Sequence, residues 1–103
     1  MLKFTRVEHC DFVGSCGSAF ALTDVEPTIE LTLTEVSPRQ ATGAFESFSL
    51  LFEGPEDRPL PQGLFEFSHP GLGALEIFLV PVGVDGTRRY EAVFNRSAVE
   101  DET

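Results

Sequence analysis

One stretch of the chain decides its fold class: TIELTLTEV, at residues 28–36, in which Ile29, Leu31 and Leu33 alternate with polar residues. Successive side chains of a β-strand point to opposite faces, so a period of two places these three apolar residues on one face. The spacing therefore predicts a strand with one face in the core and the other face in water.

The same period of two recurs in other parts of the chain. It predicts further strands at residues 19–23, 47–52, 64–67, 75–84 and 88–94, with 19–23 the weakest of them. The only helix indicated covers residues 5–13, with Thr5 as its cap and Glu8 three residues on. Six short strands joined by Pro- and Gly-rich connections predict an all-β, mainly antiparallel domain. We expect a small six-stranded barrel or sandwich with a short N-terminal helical segment within residues 1–15.

Length and composition are those of one small domain. The chain has 103 residues, and we find no internal repeat or linker that would divide residues 1–103. Ten Phe, one Tyr and no Trp make phenylalanine the main supplier of core volume. Residues 97–103 are predicted to form an acidic, frayed tail.

The charge of the chain excludes several kinds of partner. Seventeen acidic residues against seven basic ones give a formal charge of −10, and the basic residues are scattered. Phosphate backbones and anionic membranes are therefore poor partners. The charged N-terminus is unlike a signal peptide, and the chain has no long apolar run. We expect a cytoplasmic protein that binds neither nucleic acid nor membrane, with Cys10 and Cys16 as free thiols.

The last two predicted strands form a hairpin that is apolar on both faces. Asp85 and Gly86 suit a two-residue type I′ turn. Such a turn pairs Val82 with Arg89, Pro81 with Tyr90 and Val80 with Glu91, and the pairing is expected to continue through Leu79 with Ala92 and Phe78 with Val93 to Ile77 with Phe94. The face that suits the core carries Leu75, Ile77, Leu79, Ala92 and Phe94. The opposite face carries Phe78, Val80, Val82 and Val93, together with Arg89.

This second face needs a cover, because large exposed apolar patches are uncommon on soluble monomers. We expect the first 15 residues of the chain to supply that cover. The alternative is a second copy of the chain, forming a homo-oligomer, or an assembly partner. In that case the interaction surface consists of Phe78, Val80, Val82, Val93 and Arg89.

No residues have the spacing of a catalytic, metal or cofactor site, and we predict none of the three. His9, Cys10 and Cys16 lack the paired spacing of zinc ligands, so Cys10 is interpreted as a buried small hydrophobe and Cys16 as a turn residue. His69 precedes Pro70, which favours extended backbone at a strand end. We interpret it as a hydrogen-bonded turn histidine rather than as the base of a nucleophilic cysteine.

Several motifs carry a family resemblance. The chain reads FSLLFEGP at residues 48–55, LPQG at 60–63, HPGLG at 69–73, FLVPVG at 78–83 and YEAVFN at 90–95, with a looser FVG at 12–14. In this order and spacing it resembles a family of small bacterial domains of unknown function. The resemblance implies a compact, mainly β domain without an established activity. It also favours an accessory role beside phage-tail-like collar or fibre proteins.

Two classes of function are compatible with this sequence. The first is a non-enzymatic interaction or assembly module, accessory to a phage-tail-like or other multi-protein assembly, which the doubly apolar hairpin and the lack of a catalytic set favour. The alternative is a small-molecule-binding β-barrel or a small enzyme with an apolar pocket. Six strands of this length leave an interior that the Phe, Leu and Ile residues already fill, which weighs against the alternative.

Overall fold

The computed structural model describes residues 7–82 and 88–97. Its elements are α1 His9–Gly14, β1 Ala19–Leu22, β2 Ile29–Val36, β3 Gln40–Thr42, β4 Phe45–Gly54, β5 Gly63–His69, β6 Gly73–Pro81 and β7 Arg88–Ser97. All of the described strand pairs are antiparallel. The all-β class predicted from the period of two is confirmed, as is the short helix near the N-terminus. Within the described ranges no helix has the length and apolar character needed to cross a bilayer.

Six of the strands close into a barrel. Their order is β2-β1-β5-β6-β7-β4, and β4 pairs again with β2, so the sheet joins its own beginning. The seventh strand, β3, pairs with the first residues of β4. Residues 37–43 were expected to be a connection, and that expectation is wrong for β3. Its three residues are all exposed, so they show no alternation that a sequence pattern could reveal.

Alternating apolar side chains fill the barrel interior. In β2 the apolar residues Ile29, Leu31 and Leu33 are buried and the polar residues between them are exposed, as predicted. Three phenylalanine rings from different strands meet inside the barrel. The ring centroids of Phe20 and Phe52 are 5.4 Å apart, those of Phe52 and Phe67 are 5.6 Å apart, and those of Phe20 and Phe67 are 6.4 Å apart. Each fully buried ring stabilises the fold by about 2 kcal/mol through the removal of apolar surface from water.

The predicted register of the last hairpin is confirmed where β6 and β7 pair. Val80 lies opposite Glu91, and Pro81 lies opposite Tyr90. The predicted turn at Asp85 and Gly86 falls outside the described residues. The described ladder contains only these two pairs, so the expected continuation of pairing toward residues 77 and 94 is wrong. A cleft of about 70 Å³ lies there between the two strands, and N-terminal side chains line it.

Helix α1 begins later than predicted. Glu8, not Thr5, is its N-cap, and Thr5 lies outside the described residues. The Glu8 side chain accepts a hydrogen bond from the backbone of Asp11, while Asp11 Oδ2 accepts one from the Glu8 backbone N–H at 3.2 Å. This reciprocal pair is a capping box displaced by three residues from the predicted one.

The helix closes one end of the barrel through Phe12. This ring is buried, and its centroid is 6.0 Å from that of Phe48 in β4 and 5.4 Å from that of Phe94 in β7. Cys10 faces the other way and is exposed, so the prediction that it is buried is wrong. Among the six residues of this helix only Phe12 is buried, because the helix lies on the surface of the barrel.

Candidate functional site

The outward face of the last hairpin is exposed. Phe78 is 47% exposed, Val82 43% and Val93 66%, while Val80 is half-buried. The core face is as predicted, with its residues buried or packed against the core. The described part of the N-terminal segment does not cover the outward face. It packs at the end of the barrel instead, because the open barrel end offers Phe12 an aromatic cluster in which its ring is fully buried.

Leu64 extends this apolar face onto β5. It is 55% exposed and lies directly opposite Phe78 in the β5–β6 ladder. Side chains in directly opposite positions are close enough to touch, so the two residues form one continuous surface. A strand was predicted at residues 64–67, but Leu64 was not included in the predicted interaction surface, because its place opposite Phe78 depends on the register of the β5–β6 hairpin. We name the outer patch as Leu64, Phe78, Val80, Val82 and Val93.

The charges around the outer patch are mostly negative. The described charged side chains that point outward from β4 to β7 are Glu53, Glu66, Glu76, Glu91 and Arg89. Arg89, the single cation among them and a residue of the predicted interaction surface, places its Nε 3.4 Å from Glu53 Oε2. That ion pair is exposed and contributes at most about 1 kcal/mol. The remaining carboxylates give the region a negative field.

A groove continues from the outer patch across β4. One part has a volume of about 320 Å³ and is lined by Ser37, Pro38, Gln40, Ser47, Phe48, Ser49, Glu91 and Val93. A second part of about 170 Å³ shares Ser37, Ser49 and Glu91 with it and adds Glu35, Leu50 and Leu51. We call the two parts together the β4 groove. It exists because β2 is irregular between Leu33 and Glu35 and because β3 pairs with only three residues of β4.

The wall of the β4 groove is held in place by hydrogen bonds around Ser37. The Ser37 N–H donates to the Ser49 carbonyl at 2.8 Å, and the Ser49 N–H donates to Ser37 Oγ at 2.7 Å. His9 Nε2 donates to the Ser37 carbonyl at 2.8 Å. His9, considered above as a metal ligand, therefore serves to attach α1 to this wall.

Two carboxylates flank the floor of the β4 groove. Leu51 lies opposite Glu91 on one side and opposite Glu35 on the other. Neither glutamate forms an ion pair or a side-chain hydrogen bond with another described residue, and Glu91 is half-buried. The groove thus combines an apolar floor, serine hydroxyls and two carboxylates.

His69 and Ser18 come together on the other side of the barrel. His69 Nε2 lies 2.9 Å from Ser18 Oγ, and Nδ1 accepts a hydrogen bond from the Gly71 N–H at 3.0 Å. An accepting Nδ1 leaves the proton of the neutral ring on Nε2, so His69 donates to Ser18, whose hydroxyl donates to the Ser15 carbonyl. A base that activates serine must accept its proton. The pair is therefore oriented against nucleophilic catalysis, and His69 is the hydrogen-bonded strand-end histidine that was predicted.

Glu46 is the buried charged residue of the described chain, with 2% exposure. Arg39 Nε lies 2.5 Å from one of its carboxylate oxygens, and Arg96 Nε lies 2.7 Å from the other. Burial acts to raise the pKa of Glu46, but the hydrogen bonds and charges of Arg39 and Arg96 outweigh it and hold the pKa below its usual range. This cluster was not predicted, because Arg96 is 50 residues from Glu46 along the chain and Arg39, seven residues away, lies in the connection between β2 and β3.

Arg96 also attaches the N-terminal segment to the barrel. Its Nη2 donates to the Val7 carbonyl at 2.6 Å. Its guanidinium carbon lies 5.3 Å from the ring centroid of Phe48 and 5.1 Å from that of Phe94. This is the geometry of a cation–π contact. The arrangement is structural, since it joins three separate segments and uses the donors of Arg96 for that purpose.

His9, Cys10 and Cys16 were considered as soft-metal ligands and rejected on their spacing. Cys10 and Cys16 are both exposed free thiols, and Cys16 lies in the turn after α1 as predicted. Across residues 7–82 and 88–97, no three His, Cys, Asp or Glu side chains are grouped closely enough to hold a metal ion.

Comparison with known proteins gives a family but no activity. A family profile described as "Domain of unknown function (DUF6916)" matches residues 7–94, which include the outer patch and the β4 groove. No curated protein and no solved structure is significantly similar to the chain. Because the profile covers most of the 103 residues, the chain belongs to the DUF6916 family of domains of unknown function.

Proposed function

We propose that this protein is a non-enzymatic interaction or assembly module that binds a protein partner through the outer patch. The observation that carries the proposal is the pairing of Leu64 with Phe78, which lie directly opposite each other and are both about half exposed. Single exposed apolar residues are ordinary on protein surfaces. A contiguous set on neighbouring strands is typical of an interaction surface.

The strands beneath the outer patch make it a rigid surface. β6 pairs with β5 along seven residue pairs, and β7 pairs with β4 along ten. Four of the five patch side chains therefore project from paired strands, and Val82 directly follows β6 with its backbone N–H donating to the Arg89 carbonyl at 2.9 Å. A partner loses little free energy in ordering such side chains. This favours packing of a partner against the side chains of the sheet face.

The contents of the barrel support this function over the alternative of a ligand-binding barrel or a small enzyme. Phe20, Phe52 and Phe67 are fully buried and in mutual contact inside the barrel. The described His–Ser pair is oriented away from nucleophile activation. Among the described residues, the outer patch is therefore the feature that best suits a binding role.

The setting we propose is the cytoplasm, and the two exposed, unbridged cysteines suit a reducing compartment. The net charge of −10 disfavours nucleic acid and anionic membrane as partners. An accessory role in a phage-tail-like or other multi-protein assembly, which the motif resemblance implies, would use the outer patch in the same way.

Site-specific photo-crosslinking in cells of the source organism tests the proposal. Benzoylphenylalanine replaces Phe78 in one variant, Leu64 in a second and Thr32, an exposed residue on the outward face of β2, in a control. We expect the same crosslinked protein from positions 78 and 64 and none from position 32. Absence of a crosslink at both patch positions, or an identical product from the control, would refute the proposal.

A further inference from the structure

We infer that the partner segment that docks on the outer patch is basic and extended, with an apolar side chain on Leu64, Phe78 and Val93 and a Lys or Arg side chain in the β4 groove. This inference rests on the proposed function and adds the chemistry of the partner. It is carried by the continuity between patch and groove and by the charges that line them.

Val93 joins the two surfaces. It belongs to the outer patch, it lines the β4 groove, and it lies opposite Ser49 of β4. Val80, the patch residue next to Phe78 on the outward face of β6, and Leu51 of the groove floor both lie opposite Glu91, so they are two strand spacings apart, which is about 10 Å. An extended chain advances about 3.3 Å per residue, so the apolar side chain and the basic one should be about three residues apart.

The β4 groove suits a cationic side chain. Glu35 and Glu91 stand on either side of Leu51, and neither has a charged partner among the described residues. Leu51 can contact the aliphatic stem of a Lys or Arg side chain while the carboxylates meet its charged end. Ser37 and Ser49 fix the groove wall, so the site exists before binding.

Charge complementarity selects a basic segment over a second copy of this chain. The outward charged residues around the patch are carboxylates except for Arg89, which already lies beside Glu53. A second copy would bring the same carboxylates to the interface, and each chain carries a formal charge of −10 in total, so like charges oppose association.

Selection from a phage-displayed library of random peptides tests the inference. The wild-type protein, the Glu35→Gln/Glu91→Gln double variant and a Phe78→Ser variant are used as separate baits. We expect the wild type to enrich peptides with an aromatic or aliphatic residue about three positions from a Lys or Arg. A synthetic peptide of the enriched sequence should bind the double variant about tenfold more weakly, and rising NaCl should weaken its binding to the wild type.

A matched control separates local from overall charge. The Glu26→Gln/Glu30→Gln double variant removes the same charge from exposed positions outside the groove. We expect its affinity for the peptide to remain within about twofold of wild type, since exposed charges at a distance are screened.

Three results would overturn the inference, and they are distinguishable. Enrichment of apolar peptides without basic residues, with binding lost in Phe78→Ser and unchanged in Glu35→Gln/Glu91→Gln, would refute the basic segment and leave the proposed function intact. Self-association in analytical ultracentrifugation that Phe78→Ser abolishes would identify a second copy as the occupant. Equal enrichment on wild type and Phe78→Ser would contradict both the inference and the proposed function.

Discussion

Replacing Glu46 by glutamine removes the negative charge that binds both Arg39 and Arg96, but it keeps nearly the same side-chain size. Wild-type Glu46 accepts one hydrogen bond from each arginine, at 2.5 and 2.7 Å. Hydrogen bonds to charged groups contribute about 1.5–3 kcal/mol each, and a glutamine oxygen can still accept one weaker bond. Arg39 is 40% exposed, so water can replace the lost hydrogen bond in the variant. Arg96 is only 20% exposed, so its charge loses the carboxylate that balances it and gains little contact with water in return. We expect the free energy of unfolding at neutral pH to fall by about 2–3 kcal/mol.

The effect depends on pH in a defined direction. The folded-state pKa of Glu46 is lowered, whereas an unfolded glutamate titrates near about 4.3. A carboxyl with a lowered folded pKa stabilises the fold above its unfolded pKa and loses that contribution as the pH falls through the folded value. Glutamine does not titrate in this range. The difference in unfolding free energy between wild type and Glu46→Gln should therefore shrink below about pH 4.3.

Urea unfolding followed by circular dichroism at neutral and acidic pH measures both effects. Glu53→Gln is the matched control, because Glu53 forms an exposed ion pair with Arg89 that is worth at most about 1 kcal/mol. Two results would refute the reasoning. One is a Glu46→Gln protein as stable as the Glu53→Gln control at neutral pH. The other is a stability difference that stays constant as the wild-type carboxyl becomes protonated.

Three further predictions concern packing and the thiols. Tyr90→Phe removes the hydroxyl that accepts the Leu60 N–H at 2.9 Å, so unfolding experiments should show a loss of about 1–3 kcal/mol from the unsatisfied buried donor. Gly54→Ala would place its Cβ 2.5 Å from Leu31 Cδ2, and we expect thermal unfolding to show a destabilisation of about 1–3 kcal/mol, whereas Gly14→Ala, with no neighbour within 4 Å, should cost nothing. Both cysteines are exposed, so Ellman's reagent should titrate two thiols in the native protein, and protection of either one would contradict the structure.

Local sequence patterns were sufficient to predict the main body of the fold. The alternation of Ile29, Leu31 and Leu33 with polar residues reports directly which side of a strand faces the core, because the period of a strand is two. The pairing of Val80 with Glu91 could be predicted because a two-residue turn fixes the register of its hairpin. Both predictions depend on neighbours in sequence.

Features that depend on distant residues could not be read in the same way. Glu46 is buried because Arg39 and Arg96 neutralise it, and Arg96 is 50 residues away along the chain. Leu64 belongs to the outer patch because of its position opposite Phe78, which requires the β5–β6 register. The β4 groove requires both the irregularity in β2 and the short β3, and neither leaves a periodic pattern.

The attachment of β7 has a consequence for the order of folding. β7 follows all the other described elements in the chain, yet it pairs with β4 along ten residue pairs and binds the Val7 carbonyl through Arg96, which is 89 residues away. During synthesis on the ribosome, the barrel therefore cannot close until β7 has emerged, although helix α1 and the other strands are made earlier. We expect chains truncated before β7 to expose the interior-facing phenylalanines of β4 and therefore to aggregate more readily than chains that include β7.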